Sequence, residues 1–306
     1  MKRVLFTVLA IIAYCTATEA QSIIDGNDQR NPNDFYQKPE FVGKKAMPYP
    51  SVRWNDVIWE EVVWREIDFN EKFNQFFYFP KNAEQSTQGR ISLVNLIMRG
   101  VRSGEIPVYE DDDMEKELDL NDAIIQLAGA PYTVEEEITD EYGNPVYDEY
   151  GNPVYDDETD EIKKRSVIKT RSFDSTSAVK IKLKEKWYID KQDTRQKVRI
   201  VGLSFYYQKE NAAGERNYTW SWWIPMDDMR VRQVLVNANA YDENNDVVER
   251  SYDDIFIQRY FDSYVIRTSN TPNRSISEYM ADLDAVLESQ RLEDLIYDIE
   301  SDMWEY

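Results

Sequence analysis

Apolar residues recur along this chain with two different periods, and the change of period divides it. From Trp54 the apolar positions Trp54, Val57, Ile58, Trp59, Val62, Val63, Trp64 and Ile67 keep to no single stripe. Wound at 100° per residue they go most of the way round a helix, and Asp56 is placed to cap one. The pattern therefore predicts a helix from Asp56 that needs cover from several directions. "ISLVNLIMRGVRSG" (Ile91 to Gly104) carries Ile91, Val94, Ile97, Met98 and Val101 at helical spacing, with Gly104 as its stop. Further on the period falls to two. "VKIKLKEKWYID" alternates Val179, Ile181 and Leu183 with Lys180, Lys182 and Lys184, which predicts a strand with one wet, basic face. "KVRIVGLSFYYQ" and "NYTWSWWIPM" follow, joined by the turn-forming "NAAGE", so three neighbouring antiparallel strands are expected. In "WSWW", strict alternation sends Trp220 and Trp222 one way and Trp223 the other. "VRQVLVNANAY" fits a fourth strand or a helix equally well.

Helical spacing returns in "SYDDIFIQRYFDSYVIR", through Tyr252, Phe256, Tyr260 and Tyr264, predicting a helix near 251–267. Beyond "TSNTPN", Ser275 and Glu278 have capping-box spacing. Ile276, Tyr279, Leu283, Leu287, Leu295, Ile296 and Ile299 then mark an acidic amphipathic helix over 271–306, with a break near Gln290. It has two possible seats, its own core or another chain. These elements predict an α+β fold: a central, largely antiparallel sheet with N-terminal helices and a C-terminal helical region.

The ends and the middle have other compositions. Residues 1–20 read as an export signal, with Lys2 and Arg3 before an apolar run from Val4 to Cys15 and small residues at Thr18 and Ala20. That run is too short to span about 30 Å of hydrocarbon, so no direct membrane insertion is expected. Tyr14, just before Cys15, argues against lipid attachment there. Residues 21–50 are polar and broken by Pro32, Pro39, Pro48 and Pro50, as in an extended arm or linker before a domain at 51–270. Within that domain, 110–161 is an acidic insertion holding the octapeptide EYGNPVYD twice, from Glu141 to Asp156. Its Gly-Asn-Pro favours turns, and a local duplication in a tolerant loop explains it better than a repeat architecture. The sign reverses from Lys163 to Arg199. The acidic and basic stretches are complementary, either between neighbouring subunits or within one chain.

Charge and composition then remove whole classes of chemistry. The net charge of -22 argues against nucleic acid and anionic membrane surfaces as partners. There is no histidine and Cys15 is the single cysteine, within the signal, which excludes Ser-His-Asp triads, disulfides and Cys- or His-held metals. Carboxylate pairs remain, but nothing in their spacing singles one out. Asp242, Asn244, Asp246 and Asp253 approach EF-hand spacing, yet Val247 stands where that loop needs glycine, so a polar turn is expected and no metal. Exported chains with clustered Trp and many carboxylates also include carbohydrate- or peptidoglycan-binding proteins. That is the alternative reading.

Four separated blocks, "NDVIWEEVVWREIDFNEKFNQFFYFP", "SLVNLIMRGVRSGEIPVYEDDD", "IKLKEKWYIDKQDTRQKVRIVGLS" and "SYDDIFIQRYFDSYVIRTSN", resemble in order the GldN/PorN family of gliding-motility and type IX secretion proteins. The resemblance covers Arg53 to Asn270 and does not extend to the duplicated octapeptide or the tail helix. It implies a non-enzymatic structural subunit without cofactors, located in the periplasm at the outer membrane. The implied partners are a GldK/PorK-type outer-membrane lipoprotein, further copies in a homo-oligomeric ring, and the GldL/GldM (PorL/PorM) motor complex. It supplies no catalytic residues. It makes Trp54, Trp59, Trp64, Trp220, Trp222 and Trp223 candidates for a partner interface, the other possibility for each being the chain's own core.

Overall fold

Strands in the described residues are β1 (Val57–Asp68), β2 (Tyr132–Glu137), β3 (Lys164–Lys169), β4 (Ala178–Asp190), β5 (Gln196–Glu210), β6 (Arg216–Pro225) and β7 (Tyr264–Thr268). Five of them form one antiparallel sheet in the order β6-β5-β4-β1-β7, and β2 pairs with β3 in a separate two-stranded sheet. The computed structural model describes residues 44–81, 90–128, 132–137, 164–169, 173–210, 216–240 and 250–304. Residues 1–43, the duplicated octapeptide, and Asp242, Asn244 and Asp246 lie outside the described residues.

The alternating segments form β4, β5 and β6, joined as neighbours in sequence order. The stretch after Asp56 departs from expectation: it is β1, a central strand, and only Trp54–Asp56 make a single 3-10 turn. Its β-branched content suits a strand. Alternation is blurred because both of its faces find cover, so Val63, Trp64, Arg65, Glu66 and Ile67 are all buried in succession.

Helices α1 (Leu93–Arg102), α2 (Leu120–Ala128), α3 (Met229–Val236) and α4 (Tyr252–Gln258) bring side chains to a common core with one face of the sheet. α1 ends as read, with Gly104 at φ +74 just beyond it. α2 shows that the start of the acidic stretch is structural, since Ala123 and Leu127 are buried in that core. "VRQVLVNANAY" resolves as helix α3, whose first turn is capped by the Asp228 carboxylate accepting from Arg230 N at 2.8 Å. The helix expected over 251–267 stops at Gln258. Arg259 turns left-handed (φ 54), its neighbour Tyr260 donates back to Ile255 O at 2.9 Å, and the chain leaves as β7 to pair with β1. The tail forms α5 (Asp282–Trp304), continuous through Gln290 where a break was expected. The Ser275–Glu278 capping box exists but starts only one 3-10 turn, Ile276–Glu278, ahead of α5.

Candidate interaction surface

Antiparallel register sorts the sheet into two unlike faces. Ile67 opposite Ile181 and Leu183 opposite Leu203 point to the helices, with Trp222 and Ile224 beside them. On the other face Asp68 stands opposite Lys180, Glu66 opposite Lys182 and Trp64 opposite Lys184, so the lysines of β4 form a row between carboxylates and aromatics. Burial works against the charge of Lys180, but the Glu66 carboxylate and Tyr264 hydroxyl it donates to outweigh this and raise its pKa. Tyr264 is held protonated by burial and by Glu66, to which its hydroxyl donates. Lys182 is different. Its ammonium lies 3.9 Å over the Trp220 indole, no carboxylate of the described residues is within ion-pair reach, and burial lowers its pKa. Tyr206 continues the row, 4.6 Å from Trp220 and stacked at 5.5 Å on Tyr218, which is 50% exposed.

Part of this face is occupied by the chain itself. The segment after α1 crosses it, bridging Tyr109 to Trp223 through two backbone bonds of 2.8 Å and laying Met114 against Gly202. A Cβ on Gly202 would stand 2.2 Å from the Met114 methyl and 3.1 Å from the Trp223 indole, so a side chain here would push the Met114 methyl aside. Further along, the Asp112 carboxylate accepts from the Trp64 indole N–H at 3.1 Å and from Arg267 at 3.2 Å. Lys184 donates to Asp112 O at 2.6 Å and to Asp113 at 3.2 Å, while the Arg267 guanidinium covers the Trp64 indole at 3.5 Å. At this end of the acidic stretch the contact with the basic strands is within one chain.

The six candidate tryptophans separate by environment. Trp222 has no exposed surface and donates its indole N–H to Ala123 O at 3.1 Å, as a core residue. Trp64 and Trp223 are buried beneath the 109–114 crossing. Trp59 is half-buried against a small second cluster built from Val63, Trp187, Val265 and Ile296. Trp220 is half-buried under Lys182, and Trp54, 89% exposed, projects from the turn before β1. "WSWW" departs from strict alternation: Trp220 and Trp223 share the lysine face and Trp222 opposes them. The register slips between Ser204 and Tyr206, where β6 carries an extra residue, and Ser221 Oγ fills the bulge by accepting from Phe205 N at 2.9 Å.

α5 lies on the helix side of the sheet, seated by Ile296 and Leu292 in the second cluster and by a 2.9 Å bond from Gln196 to Ile296 O. Two partly buried ion pairs lie beside it. Arg259 meets the fully buried Glu185 at 2.7 Å, and Arg65 meets Glu293 at 2.7 Å while donating to Ser263 Oγ at 2.9 Å. So the tail helix docks on its own chain. Its first two turns nevertheless turn Leu283 (68%), Val286 (63%) and Leu287 (55%) outward, next to Asp282 and Asp284. Sequence reading missed Asp112, Arg267, Tyr206, Tyr218 and Val286 as surface-forming residues; only the alternating lysines announced the face.

Among the described residues no group of three or more His, Cys, Asp or Glu side chains is arranged to hold a metal ion, and no helix is long and apolar enough to cross a membrane. No curated protein matches the chain. A family model does, the one described as gliding motility associated protein GldN, over residues 52–305.

Proposed function

This chain belongs to the GldN family of gliding-motility-associated proteins, and on that premise we propose that it is a non-enzymatic structural subunit of the type IX secretion and gliding apparatus. In this reading it works in the periplasm, at the inner side of the outer membrane. It assembles as a ring with a GldK/PorK-type lipoprotein and meets the GldL/GldM (PorL/PorM) motor complex.

The observation that carries the reading is the family match across most of the chain. The surface supports it. A sheet face made of lysines, arginine and aromatics already holds an acidic loop by carboxylate contacts, which is how polypeptide segments are bound. β1 adds a free edge: among the described residues Val57–Glu61 have a strand neighbour only in β4, because β7 pairs with Val63–Glu66, and Trp54 stands exposed beside that edge. Lys182 over Trp220 also makes this row a poor sugar platform, since the ammonium occupies an indole face on which a pyranose would stack.

The test is co-purification of the mature chain with the outer-membrane lipoprotein, followed by electron microscopy of the product. Stable co-elution in ring-shaped particles is expected. A monomer that ignores the lipoprotein, or that turns over a substrate, contradicts the proposal.

A further inference from the structure

Two surfaces of this chain are at least partly open among the described residues, and the elements that carry them lie on opposite sides of the same sheet. One is the outward strip of α5, where Leu283, Val286 and Leu287 are largely exposed. The helix carrying them is strongly acidic, with Arg291 as its single base against eight carboxylates. The other is the end of the lysine face where Tyr206, Tyr218 and Trp220 lie in a row and Lys182 has no carboxylate partner among the described residues. The first is apolar and negative, the second aromatic and positive.

We propose that the outward strip of α5 in one copy of this chain docks on the Lys182, Tyr206, Tyr218 and Trp220 surface of the next copy. Leu283 and Leu287 would lie on the aromatic row, and Asp282 and Asp284 would supply the carboxylates that Lys182 lacks. The adjoining half of the same face shows the chemistry at work within the chain, where Asp112 and Asp113 meet Lys184, Arg267 and the Trp64 N–H. Because α5 sits on the helix side of the sheet and the lysine face on the other, the contact is head-to-tail. Repetition of such a contact closes a ring or extends a filament. The inference rests on the ring reading and names the surfaces that would make the ring.

Complementation between two variants tests it. Leu283→Asp with Leu287→Asp spoils the helix strip, and Tyr218→Asp with Lys182→Glu spoils the sheet face. Tyr218→Asp alone, at a half-exposed position, serves as a second sheet-face variant, and circular dichroism confirms that each variant folds. Mass photometry of the full mature chain should show wild type in large assemblies and each variant as a monomer. Mixing the helix variant with a sheet variant should give one-to-one dimers and nothing larger, since each brings one intact half. Dimers should weaken as salt is raised. If wild type assembles and the sheet variants assemble equally well, or if the mixed variants fail to pair, the inference is overturned while the ring reading stands. A wild type that stays monomeric even with the lipoprotein overturns both.

Discussion

Both faces of the central sheet hold tryptophan, and they treat it differently. On the helix side Trp222 disappears into the core and spends its one N–H on Ala123 O. On the lysine side the indoles of Trp64 and Trp220 are covered by Arg267 and Lys182, and the Trp64 N–H goes to a carboxylate. The first arrangement depends on removal of apolar area from water, which salt hardly touches. The second depends on charges near the surface, which are individually modest and exchangeable. One face builds the core, and the other holds the chain's own acidic segment at Asp112 and Asp113.

Removing the core indole should have the largest effect. Trp222→Ala should lower unfolding free energy by about 3–5 kcal/mol, read from urea denaturation, and a loss below 1 kcal/mol would erase the contrast between the faces. Close behind comes the buried pair that ties α3 to α4. Arg232 meets Asp253 through bonds of 2.9 and 2.8 Å, donates to Met47 O, and lies 4.2 Å from the Tyr49 ring. Asp253→Ala leaves that guanidinium buried without its counter-charge, and a cost of about 3 kcal/mol is expected, while Arg232 with Asp253 replaced together by Met and Leu should cost less.

On the lysine face the effects are smaller and depend on salt. Asp112→Ala removes the acceptor of Trp64 and Arg267, and should cost about 1–2 kcal/mol at low salt, with the loss shrinking in 0.5 M NaCl. A loss independent of salt would mean that the loop is held by packing. Lys182→Met should have the smallest effect and a distinctive pH signature. Burial lowers the pKa of Lys182 in the folded chain, so around and above that pKa the unfolded chain binds more protons and stability rises with pH towards the free lysine value. Wild type should therefore gain stability relative to Lys182→Met as the pH rises towards the free lysine value of about 10.4, measured by denaturant midpoints. No relative gain would mean that Lys182 is solvated.

The difference between the faces also explains what was legible in the sequence. Lys180, Lys182 and Lys184 alternate with apolar residues because only one side of β4 is in the core, and the strand could be read directly. β1 hid its nature because Trp64 on the lysine side is buried, as Ile67 is on the helix side, so its apolar positions showed no period of two. The end of α4 depends on a left-handed Arg259, a conformation that its residue type does not announce. The surface itself was the least legible part. Asp112 reaches Trp64 across 48 positions and Arg267 across 155, and no local pattern encodes a loop folding back over that distance. α5 was visible as an acidic amphipathic helix. Its division into a seated half at Ile296 and an outward strip at Leu283 depends on where the second cluster lies.

The most direct measurement is hydroxyl-radical footprinting of residues 21–306, alone and mixed with the proposed lipoprotein partner, read side chain by side chain. The account predicts that oxidation of Tyr218, Trp220, Leu283 and Leu287 falls several-fold on assembly while Trp222 stays unreactive in both states. An assembly in which those four side chains oxidise as fast as in the free chain would contradict it.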